Sequence, residues 1–113
     1  MITRYTQGQP FSRFTYANPG GKLTRVDFDR PVIVYEIRVG VTIVALDAMD
    51  PIHTHGVKVG MISHEERSRF TFNLPYPVTI GMRIMVNTDR ECKILLCIVN
   101  AENDETIEAE YKG

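Results

Sequence analysis

A chain of 113 residues, 43% of them hydrophobic, suits one folded domain over 1–113 and is too apolar for intrinsic disorder. Thirteen Lys and Arg stand against fourteen Asp and Glu, and the net charge of -1 speaks against a protein whose main work is holding nucleic acid. The longest apolar segment, Pro31 to Leu46, is interrupted by Glu36, Arg38 and Gly40, so no stretch reaches the length of a membrane helix.

The chain opens on Met1-Ile-Thr-Arg-Tyr-Thr6, which alternates polar and apolar residues and lacks the basic-then-apolar order of a signal peptide. Met1 to Tyr16 reads either as an edge strand or as an arm laid on a neighbouring subunit. Turn signals then recur at short intervals: Gly8-Gln-Pro10, Asn18-Pro-Gly-Gly21, Asp29-Arg-Pro31, Gly40, Asp47 to Gly56, Pro75-Tyr-Pro77, Asn87-Thr-Asp89 and Glu102-Asn-Asp104. Between them lie candidate strands at 2–7, 11–17, 22–28, 31–39, 41–46, 57–62, 69–74, 77–86, 91–100 and 106–112. One or two of these should merge, leaving eight or nine. Period-2 alternation is clearest for Val57/Val59/Met61, Phe70/Phe72/Leu74, Val78/Ile80/Met82/Ile84/Val86 and Ile107/Ala109/Tyr111. Each has a dry face and a largely wet one, as in antiparallel sheets packed on one side.

Two segments, Val32-Ile-Val-Tyr35 and Ile94-Leu-Leu-Cys-Ile-Val99, are apolar on both faces. One face belongs to the core; the other calls for a loop, an arm or another molecule. The segments 77–86 and 91–100, joined by Asn-Thr-Asp-Arg, read as a hairpin. No Cys-Trp-Cys hallmark of antibody-type domains is present. The expected fold is all-β: a single antiparallel two-sheet sandwich, jelly-roll-like, of eight to nine strands.

Cys92 and Cys97 sit five apart on one strand, so they point to opposite faces with about 17 Å of extended chain between them. They cannot bridge each other and read as buried, reduced thiols of a protein assembled in a reducing cytoplasm. The loop Asp47-Ala-Met-Asp-Pro-Ile-His53-Thr-His55-Gly56, with His64 a strand away, is the most suggestive constellation. Its His-x-His pair is similar to the metal-binding histidines of cupins, but the position of the cupin glutamate, around Val59, is apolar. No metal, cofactor or catalytic residue is assigned. Ser12, Ser63 and Ser68 sit in no nucleophile elbow, and the carboxylate pairs Asp27/Asp29 and Asp47/Asp50 read as solvated edges and turn caps. Phe11-Ser-Arg-Phe14-Thr-Tyr16 and Arg67-Ser-Arg-Phe-Thr-Phe72 interleave aromatic and basic residues, but the aromatics are readily explained as core and no run of basic residues makes a patch, although a folded surface could gather several.

In general plan the chain resembles the small jelly-roll proteins that decorate or cement phage capsids. The likeness is carried by whole-chain length, balanced charge, reduced cysteines, and the pattern Val26-Asp-Phe-Asp-Arg-Pro-Val-Ile-Val34 followed by Pro77-Val-Thr-Ile-Gly-Met-Arg-Ile-Met-Val86. It implies a non-enzymatic structural protein of the virion that binds a protein shell, copies of itself, or both, as a homo-oligomer without nucleic acid or membrane partners. A carbohydrate- or other ligand-binding sandwich is the alternative, with Tyr5, Tyr16, Tyr35, Tyr76 and Tyr111 as the aromatic supply. A cupin-like metal-dependent enzyme stands third.

Overall fold

In the computed structural model the described residues are 5–18, 20–47, 61–99, 106–107 and 110–111. They form strands β1 (Thr6–Gly8), β2 (Phe11–Thr15), β3 (Gly21–Val39), β4 (Thr42–Asp47), β5 (Met61–Ile62), β6 (Glu66–Val78), β7 (Arg83–Thr88), β8 (Cys92–Val99), β9 (Thr106–Ile107) and β10 (Glu110–Tyr111), with no helix among them. The fold is all-β and almost wholly antiparallel. Among the described residues only the short β4–β5 pair runs parallel.

The ten strands hydrogen-bond into one nearly closed sheet, where the sequence reading expects eight or nine strands in two sheets. The reason lies in β3, a 19-residue strand that takes part in both halves. Its first part pairs with β8 on one edge and β6 on the other; its last part pairs with β7 and β4. Pro31 does not end it. That proline lies in the stretch between Asp27 and Val32 where the register to β6 shifts, so no ladder bond is lost to its missing N–H.

The expected hairpin of 77–86 with 91–100 does not form. β7 and β8 both run antiparallel to β3 and follow one another along it, with a bend rather than a reversal at Asp89-Arg90-Glu91. Side chains hold that bend open. The Asp89 carboxylate accepts the Ile33 N–H at 2.9 Å and the Asp89 N–H donates to the Ile33 carbonyl at 3.0 Å, which continues the ladder across the bend. On the other side the Asp29 carboxylate accepts the Lys93 N–H at 2.7 Å. Segment 77–86 itself breaks: β6 ends at Val78, and a turn precedes β7 at Arg83.

β1 and β2 likewise follow one another, β1 along β8 and β2 along β7. Residues 5–16 are therefore an integral part of the chain's own sheet and not an arm. At their bend Gly8 is needed for close approach: an added Cβ would lie 2.5 Å from Ile94 Cδ1 and 2.7 Å from Ser12 Oγ. Gly40, with φ 62°, takes the left-handed position of the tight β3–β4 turn.

Both halves of the sheet turn one face to a single core, including Phe14, Leu23, Val26, Phe28, Val34, Ile37, Ile84, Val86, Ile94, Leu96 and Ile98. Strand β3 keeps its apolar residues inward by two register shifts, between Leu23 and Arg25 and between Val34 and Glu36. Each shift moves the buried series from one parity to the other, from Leu23 to Val26/Phe28/Val32/Val34 and then to Ile37/Val39. Tyr16, fully buried, closes one end by donating its hydroxyl to the Gly20 carbonyl at 3.1 Å.

Candidate interaction surface

Where β3 exchanges β6 for β4 as its edge partner, the sheet leaves a seam. A groove of about 330 Å³ opens there, lined by Val44 and Ile62 on one side and Phe70 to Leu74 on the other. Phe70 and Phe72 reach it together because residues two apart in a strand share a face. Their rings meet edge to face, centroids 5.1 Å apart and planes at 78°. Between the pairs Arg25↔Thr71 and Leu23↔Tyr76, β6 has four residues against the single Thr24. That excess throws Leu74 outward, 82% exposed, although alternation alone puts it on the dry face with Phe70 and Phe72. Among the described residues β6 pairs only with β3, and its other edge has no strand partner among them. Pro75 and Pro77 blunt the carboxy-terminal end of that edge.

Strand β8 behaves differently. The reading of Ile94 to Val99 as apolar on both faces holds, since Leu95 and Cys97 of the outer face are buried as well as the core-facing residues. Their cover comes from the chain itself. Beside them on β3, in register with Leu95, lies the buried Asp27, which accepts from Arg25 Nε at 2.9 Å and from Arg69 Nε at 3.0 Å. The Cys97 sulfur lies 4.0 Å from the same carboxylate. At Val32 to Tyr35 the second face is half-covered, with Ile33 and Tyr35 intermediate in exposure.

The two cysteines are free and buried on opposite faces, and burial pushes both thiols up. Neither has the electropositive, accessible setting of a reactive thiolate. Asp27 and Asp29, read as a pair along the strand, serve separate ends: Asp27 holds two arginines, while Asp29 holds Arg30 and the Lys93 N–H. The Arg30 hydrogen bond takes the Asp29 carboxyl below its usual value.

Of the loop constellation, His53, His55 and Asp50 lie outside the described residues. The parallel β4–β5 pair brings together its two ends, and His64 Nδ1 meets the buried Asp47 carboxylate at 2.8 and 3.0 Å. Ser63 is adjacent in sequence, but His64 is turned to Asp47, and the Ser63 carbonyl accepts from Arg67 at 2.9 Å. Among the described residues no three potential metal ligands come together.

The groove was foreshadowed in sequence only as the dry face of a strand at 69–74. No local signal says that the seam beside it stays open. No family model, curated protein or solved structure matches this chain.

Proposed function

We propose that this protein is a non-enzymatic structural interaction protein that docks on a protein shell, in its concrete form a decoration, cement or minor coat protein of a virion. The observation that supports it is the groove where Val44, Ile62, Phe70 and Phe72 meet the polar Thr71 and Asn73, with Leu74 exposed at its rim, on a strand that among the described residues pairs only with β3. Apolar surface left in water costs roughly 25 cal/mol per Å², which a partner recovers by covering it. An extended segment of the shell would add to the edge of β6 ahead of Pro75 and set alternate side chains into the groove. The likeness to small jelly-roll virion proteins is one of general plan, carried by the chain length, the balanced charge and the reduced cysteines, beside the all-β antiparallel sheet. Copies of the chain would array on the shell as a homo-oligomer.

Native sedimentation of lysate from cells producing the protein together with its natural particles tests this reading. The chain is expected to travel with a large particle, and Leu74→Asp to release it without lowering the melting temperature. A chain that stays monomeric and apart from any particle, or that Leu74→Asp leaves attached, overturns it.

A further inference from the structure

The net charge conceals a segregation. Residues 1–100 hold twelve Lys and Arg against nine Asp and Glu, while residues 101–113 hold one against five. The fold then gathers basic residues that are far apart in sequence. On the outer face of β2, β7 and β3, Arg13 pairs with Met85, and Met85 pairs with Arg38, so the three lie side by side in one row. Arg83 occupies the next row on the same face, opposite Thr15, and Phe11 lies on the other side of Arg13, opposite Asn87.

The alternation of β2 and β7 sets this face: Ser12, Phe14, Ile84 and Val86 are buried inward while Phe11, Arg13 and Arg83 are exposed. Phe11 keeps 53% of its surface in water. Arg13 and Arg83 make no ion pair among the described residues. Arg38 shares its charge with Glu36 at 2.8 Å but leaves 37% of its side chain exposed. Strand spacing puts Arg13 and Arg38 about 10 Å apart and Arg83 about 7 Å along β7 from the row between them. At the margin, β10 brings Glu110 into register with Thr15.

We propose that this face binds single-stranded nucleic acid, with Arg13, Arg83 and Arg38 on the phosphates and Phe11 stacking on a base. It is a second surface, formed by other strands than the groove, and does not depend on the shell-binding reading. Spaced guanidinium groups on a flat sheet with an exposed ring supply the two elements of such recognition, charge along the backbone and a π-face for the bases. A duplex would gain little, because nothing on this face projects into a groove. An acidic protein surface would satisfy the arginines and leave the ring unused.

Fluorescence anisotropy of a labelled oligothymidylate of about 12 nucleotides with the full chain tests the proposal. Binding is expected at low salt, with log K falling against log salt at a slope near -2, about 0.7 for each of three phosphates. The double variant Arg13→Ala/Arg83→Ala should weaken binding about ten-fold or more and flatten the slope. Phe11→Ala should weaken it about five-fold or more and leave the slope as it is. All three residues are exposed, and unchanged thermal unfolding of the variants shows that the fold is kept. Absence of binding at low salt overturns the proposal. So does tighter binding of a duplex of equal length, or competition by polyglutamate with no effect of Phe11→Ala, the signature of an acidic protein partner.

Discussion

Two strands of this sheet carry apolar residues that lie outside the core, and the molecule treats them in opposite ways. On β8 the surplus residues Leu95 and Cys97 are sealed beneath the chain's own surface, next to a buried carboxylate that holds two arginines. On β6 the surplus residue Leu74 is pushed into water by a local excess of chain, beside an open seam. An apolar second face is therefore no sign of a partner by itself. Among the described residues it is Leu74 of β6, outside the core and exposed, that is left for a partner to cover.

The sharpest way to break the contrast is to disturb the ion cluster beside the sealed face. Arg25 and Arg69 reach solvent while Asp27 does not, so either arginine alone can hold the carboxylate. Arg25→Ala and Arg69→Ala should each cost under about 1 kcal/mol, whereas the double variant strands a buried charge and should cost about 3 kcal/mol or more. Urea denaturation of the four chains reads this as non-additivity. Additive losses would mean that the cluster does not act as a unit.

Next in size is a matched pair of truncations. Leu95→Ala should lower stability by about 2 kcal/mol, as for a buried leucine, and Leu74→Ala should change it by less than about 0.5 kcal/mol. Equal costs would erase the difference between the sealed and the open face. Thiol chemistry sharpens the same point without a mutation. With both thiols buried and raised by burial, Ellman's reagent should react with neither at neutral pH in the folded chain and with both of its two cysteines in denaturant. Rapid labelling of Cys97 in the folded protein would show that its cover is loose.

Much of this organisation is legible in the sequence, and what is not has a common cause. Alternation in Phe70/Phe72 and Ile84/Val86, and the doubly apolar run at Ile94 to Val99, give the strand character and the burial. The failures occur where a distant partner decides. Asn87-Thr-Asp-Arg90 has turn composition, but Asp89 is tied to Ile33 and Asp29 to Lys93, and those bonds convert a reversal into a bend. Pro31 looks like a strand end and is tolerated at a register shift. The groove needs β4 and β5 to stop short of β6, and the basic face needs Arg13, Arg38 and Arg83 to come from three strands. Neither can be read from any single segment.

The smallest expected effect concerns the polar bend between β7 and β8. The carboxyl of Asp29 is held below its ordinary value of 3.8, first by the Arg30 hydrogen bond and also by the Lys93 N–H. A folded value lower than the unfolded one means the unfolded chain binds protons more readily as pH falls. The ionised group thus stabilises the fold above the ordinary value and loses that contribution as pH drops through the lower folded value. Asp29→Asn keeps an oxygen for the Lys93 N–H and removes only the charge. The melting temperature of wild type should exceed that of Asp29→Asn by about 2 °C or less near pH ~6, because the Arg30 pair is at the surface. The gap should close as pH falls through the lower folded value, below which the carboxyl is protonated in both states. A gap that widens on acidification would mean that Asp29 does not hold the bend through its charge. The two bonds from Asp89 and the backbone of Ile33 would then be sufficient to keep β7 and β8 in line.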